Sequence, residues 1–221
     1  MLKKYNDLLN LDATISKELF ERVEHPWEVL PLIKNYILEI IPGLGSEYQE
    51  ISENVFVHES VKIADTAVIN GPTIICKGTE VRPGAFIRGS VLVGENCVVG
   101  NSTEMKNAII FNNCQCPHYN YVGDSILGEK AHTGAGVILS NFKSDGSNVK
   151  IRKSDEVIET GLRKFGAILG NHADIGCNSV LFPGTIIGQN TNVYPLTRVR
   201  GEVLPNRIVK DTDLIVEKEN L

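Results

Sequence analysis

His118 stands in the stretch CPHYNYVGDS, residues 116–125, with Tyr121 three residues on and Glu104 fourteen residues before it. An imidazole titrates near neutral pH, and a carboxylate beside it raises its basicity and fixes its tautomer. That pair suits a general base removing a proton from a nucleophile. It requires a fold that brings residues fourteen apart onto adjacent turns. The cysteines offer less: Cys76, Cys97, Cys114, Cys116 and Cys177 lack the paired CxxC spacing of a zinc site. They read as reduced, small core residues, and nothing in the setting of Cys114 or Cys116 indicates a lowered pKa. No metal site is expected.

The elements that must position His118 follow from a repeat. Counting in sixes from Val57 gives Ile63, Ile69, Ile75, Val81, Ile87, Val93, Val99, Met105 and Phe111, all apolar. Two positions before each stand mostly small or β-branched residues, among them Ala67, Thr73, Thr79, Ala85, Cys97 and Thr103. The beat returns at Leu169, Ile175, Leu181, Ile187, Val193 and Val199. A β-sandwich would show period two instead. Period six describes a hexapeptide-repeat solenoid: one apolar residue per short strand points inward, a small residue fits the corner, and stacked coils pair their backbones. The fold expected is mainly β, a parallel β-helix with a small N-terminal helical region.

At CPHYNYVGDS the series breaks, because Pro117 and Gly123 would be its next members. The reading resumes at Tyr121, Leu127, Thr133 and Leu139, so a shortened coil places His118 and Tyr121 in an altered stretch of wall. Two further regions lack the beat. Residues 1–54 read as a helical cap over the first coil, with Ser16 as an N-cap and an apolar stripe of Trp27, Leu30, Ile33, Ile37, Ile40 and Ile41. Residues 55–205 form the β-helix, interrupted by a polar insertion at 142–166 that must leave the wall as a loop or hairpin and is able to build a ligand site. Residues 206–221 read as a tail.

Composition bounds the partners. The 221 residues are 42% hydrophobic, enough for one substantial core, and the net charge of −5 leaves no footprint for nucleic acid. No basic amphipathic or long apolar stretch suggests a membrane, and no apolar leader segment follows Met1, so a cytoplasmic protein acting on a small molecule is expected.

VGNSTEMKNAIIFNNCQCPHYNYVGDSILGEKAHTGAGVILSNF resembles the acetyltransferase domain of the bifunctional N-acetylglucosamine-1-phosphate uridyltransferase/glucosamine-1-phosphate acetyltransferase and related archaeal sugar-1-phosphate enzymes. The motifs are GN..EMK, HxxYxGD and GAGxIxxN, and the likeness spans about residues 55–205. It implies a left-handed β-helix with three hexads per coil, a homotrimer with sites between subunits, and acetyl-CoA as cosubstrate for an amino-sugar phosphate. It further implies His118 as general base with Glu104 as partner. Arg88, Lys106 and Tyr121 would hold the sugar phosphate, with His132 at a substrate position that the family fills with Asn. Ala135, Asn141 and Cys177 would line the acetyl-CoA channel. The family's lysine after GAGxIxxN has Lys143 or Lys150 as candidates. Residues 1–55 carry no Gly-rich nucleotide-binding signature, so no uridylyl transfer is expected of this chain. Zinc carbonic anhydrases share the β-helix, but His25, His58, His118, His132 and His172 lack their spacing. A noncatalytic sugar-phosphate or sugar-nucleotide binding protein, or a scaffold for a separate nucleotidyltransferase, is the alternative.

Overall fold

A computed structural model describes residues 8–152 and 156–219; residues 1–7, 153–155 and 220–221 of the helical, insertion and tail segments lie outside the described residues. The chain winds into a parallel β-solenoid of two- to seven-residue strands. Its core is three stacked columns of inward side chains. One runs Val57, Ile75, Val93, Ile110, Leu127, Leu169, Ile187, Val203, each in register with the next. A second passes through Ile87, Met105, Val122 and Leu139. The third passes through Val81, Val99 and Cys116.

The columns correct the reading of the break. Met105 pairs with Ile87, eighteen residues earlier, but Ile110 pairs with Val93, seventeen earlier. The slip therefore falls before Phe111, at Lys106 and Asn107, where the corner has one residue fewer than Arg88, Gly89 and Ser90 above it. Ile110 takes the inward place assigned to Phe111. A second corner, Gly123 and Asp124, is short in the same way, and Val122 rather than Tyr121 is the inward residue. Each short corner turns on one left-handed residue, Asn107 at φ 47° and Asp124 at φ 48°. Asn and Asp tolerate that conformation because their side chains bond locally.

One wall is apolar on both sides. Ile74, Leu92, Ile109, Ile126, Ile168 and Ile186 alternate with the inward residues and are also buried. The N-terminal segment covers this flank, which corrects the expectation of a cap over the first coil. Helix Ile33–Ile40 packs on strands Val91–Val93 and Glu104–Ile110, and the 3-10 segment Pro26–Leu32 on Tyr121–Leu127. Phe20 meets Phe111 edge-on at 5.6 Å, Trp27 lies 6.4 Å from Phe165, and Asn112 N donates to Ala13 O at 2.9 Å. Ser16 precedes helix Lys17–Glu21, yet its hydroxyl bonds Thr14 rather than capping.

The ends are closed by hairpins. Tyr48–Ser52 pairs antiparallel with Val55–His58, inside the segment read as helical. Residues 206–221 hold Arg207–Asp211, which continues the wall beside Asn192–Val193, and Leu214–Glu217, which folds back on it. The last coil is only sixteen residues long, from Asn192 to Ile208, and so hid this strand from a six-residue count. The insertion leaves the wall between Asn141 and Phe165, forms the hairpin Lys150–Arg152 with Val157–Glu159, and buries Val149 and Ile151 beside strand Thr185–Ile187.

Candidate active site

The two short corners lie one above the other and build an open cleft of about 310 Å³. It is lined by Arg88, Lys106, Tyr121, Asn141, Phe142 and Lys164. Register explains the gathering: Lys106 sits beside Gly123, and Glu104 beside Tyr121 and Phe86. Arg88 donates to Glu104 at 2.8 Å, and this bond holds the guanidinium above its usual pKa. Lys106 Nζ lies 3.4 Å from Asp124, whose side chain is 7% exposed. Asp124 also accepts from Asn107 Nδ2 at 2.9 Å and from Asn141 Nδ2. Asn141 Nδ2 lies 3.2 Å from the Tyr121 hydroxyl, and burial raises the Tyr121 phenol above its ordinary value.

His118 stands around the corner from Tyr121, at the end of strand Gln115–His118. Its side chain is exposed and has no partner among the described residues. Buried Asn120 fixes this corner: its Oδ1 accepts from His118 N at 3.2 Å and its Nδ2 donates to Gly134 O at 2.7 Å. Below His118 the next coils place Ala135 and then Cys177. His118 O accepts from Gly136 N, Ala135 O from Asn178 N, and Cys177 O from Leu196 N, at 3.0, 2.8 and 2.9 Å. The three residues thus share one edge of the solenoid, two of them small and the last exposed.

Three sequence-based placements change. Glu104 is bonded to Arg88, and no hydrogen bond joins it to His118, because the two lie in different sheets. Asn141 belongs to the cationic cleft rather than to the His118, Ala135 and Cys177 edge. His132 is not in that cleft: it lies in the nine-stranded sheet, where its Nδ1 is 2.7 Å from Asp174. The His132 bond pulls the Asp174 carboxyl below its usual range. Lys143 pairs with Asp145 and Lys150 with Glu159, so neither candidate lysine enters the cleft; Lys164, on the returning arm of the insertion, does. Asp124, Asn107, Asn120 and Lys164 carried no role in the sequence analysis. The charged Asp124 between apolar Val122 and Ile126 was the available signal. Cys114 and Cys116 are fully buried, and burial pushes the Cys116 thiol up to about 12, so neither is a ready nucleophile.

A family model described as the GMPPB C-terminal domain matches residues 69–219, which takes in the cleft, the His118 edge and the insertion. The chain belongs to the GMPPB C-terminal domain family. Among curated relatives, the bifunctional protein GlmU of Methanococcus maripaludis is 32% identical over 224 residues, covering 99% of this chain and 54% of that protein. A bifunctional sugar-1-phosphate nucleotidylyltransferase/acetyltransferase of Sulfurisphaera tokodaii is 31% identical over 182 residues, covering 80% of this chain and 45% of that protein. The chain therefore spans about half the length of these two relatives. The uncharacterized acetyltransferase YaiX of Escherichia coli is 29% identical over 199 residues, covering 84% of this chain and 86% of that protein. Among the described residues of this member of the GMPPB C-terminal domain family, no cluster of three metal-ligating side chains occurs, and no helix is long and apolar enough to cross a membrane.

Proposed function

We propose that the chain transfers the acetyl group of acetyl-CoA to the amine of an amino-sugar 1-phosphate or related amino sugar. The observation that carries this reading is the single edge shared by His118, Ala135 and Cys177, next to a cleft with Arg88, Lys106 and Lys164. The pantetheine arm would run along the small residues, with the thioester at His118. Arg88, Lys106 and Lys164, with the Tyr121 phenol, would hold the anionic group. The amine nitrogen attacks the thioester carbonyl, its proton passes to the His118 imidazole, and the carbon–sulfur bond breaks to release CoA, which takes up a proton. Backbone N–H groups would stabilise the oxyanion. The names of the archaeal and bacterial relatives support the reading. Association as a homotrimer, with a neighbouring subunit completing each site, belongs to the same proposal.

A noncatalytic sugar-phosphate or sugar-nucleotide binding protein, or a scaffold, is the second reading. Its support is that, among the described residues, no carboxylate bonds the His118 side chain. CoA release from acetyl-CoA, measured across a panel of amino-sugar 1-phosphates and nucleotide-linked amino sugars, tests the choice. Turnover supports the transferase; sugar-phosphate binding without CoA binding supports the alternative.

A further inference from the structure

Asn141 makes two bonds through the same atom. Its Nδ2 lies within hydrogen-bond reach of Asp124 Oδ2 and 3.2 Å from the Tyr121 hydroxyl. A carboxylate has no hydrogen to give, so the amide must turn its NH2 group toward Asp124. One N–H then serves Asp124 and the other serves Tyr121. The Tyr121 oxygen is thereby an acceptor on its inner side, which leaves its own hydrogen for an acceptor in the cleft that Tyr121 lines.

The carboxylate that sets this order is itself held. Asp124 is 7% exposed, and it takes Asn107 Nδ2 at 2.9 Å and Lys106 Nζ at 3.4 Å. Its corner is fixed further by Gly166 N, which donates to Asp124 O at 2.8 Å. Space for the chain of bonds comes from Gly123: a Cβ there would lie 2.6 Å from the Tyr121 hydroxyl and 2.8 Å from Asn141 Nδ2.

We propose that Asp124 is a positioning residue that acts through Asn141 to make Tyr121 a hydrogen-bond donor toward the cleft, and so sets the site's preference for an anionic oxygen. The inference rests on the functional reading above and deepens it. A phosphoryl oxygen accepts from Tyr121 in this arrangement, whereas the Asn141 carbonyl remains free to accept from an N–H or O–H of a ligand.

The test is calorimetric binding of the tightest member of the panel of amino-sugar 1-phosphates and nucleotide-linked amino sugars to native protein, Asp124→Asn, Tyr121→Phe and the double variant. Asp124→Asn and Tyr121→Phe are each expected to weaken binding about tenfold or more, as for a hydrogen bond to a charged group. In the Tyr121→Phe background, Asp124→Asn should cost clearly less than in native protein, because its route runs through the phenol. Asn141→Ala, which leaves the buried carboxylate in place, should show the same coupling if Asp124→Asn does not fold. Native-like binding by the folded Asp124→Asn variant, or fully multiplicative losses in the double variants, would overturn the positioning role while leaving the functional reading intact. A native protein that binds no member of the panel would overturn that reading, and this inference with it.

Discussion

Arg88 donates to Glu104 at 2.8 Å across adjacent coils, and the carboxylate that sequence spacing offered to His118 is thus held by a guanidinium. Glu104→Gln should therefore lower kcat by less than about tenfold, well short of the roughly hundredfold or more expected for removing a general base. A loss as large as that of His118→Ala would place Glu104 on His118 after all.

Gly123 leaves room for the bonds between Tyr121, Asn141 and Asp124. In Gly123→Ala the new Cβ displaces the phenol and the amide, both movable side-chain ends. The expected outcome is a KM for the sugar acceptor raised about tenfold, with a melting temperature within a few degrees of native. An unchanged KM would show that the cleft tolerates the displaced phenol.

Much of the architecture was legible because inward residues recur at six, from Val57 to Met105, and this beat is what a triangular coil requires. The slip was misplaced by six residues for a local reason: Ile109, Ile110 and Phe111 are all apolar, so losing one residue at Lys106 and Asn107 left no trace in hydrophobicity. Phe111 is buried, but against Phe20 on the outer flank rather than in the solenoid. For the same reason the flank position of the helices was hidden, since the paired isoleucines read only as strands. The resemblance put Arg88, Lys106 and Tyr121 at one site, and the structure gathers these three side chains in one cleft. Lys164 carried no such signal, because a folded insertion carries it back from outside the repeat.

The Tyr121 phenol has a folded-state pKa raised by burial, so its contribution to stability is complete below its unfolded value near 10 and is lost as pH rises through the folded value. Native protein should therefore lose melting temperature more steeply above about pH 10 than Tyr121→Phe does. Parallel alkaline curves for the two proteins would contradict the shift.

Phe111 joins the N-terminal segment to the solenoid flank. Phe111→Ala should cost about 3–5 kcal/mol of attachment, as for other buried Phe truncations. Limited proteolysis should cleave the segment before residue 45 first, while the far-ultraviolet β signal persists. Loss of both signals together would mean that segment and solenoid fold as one unit.

The most direct measurement compares CoA release from acetyl-CoA by native protein and His118→Ala across the amino-sugar panel. The account predicts turnover by native protein and a kcat lower by a hundredfold or more in the variant, with the KM for acetyl-CoA little changed, the size expected for removing a general base. Equal rates in the two proteins, or no turnover by a folded native protein with any acceptor, would contradict it.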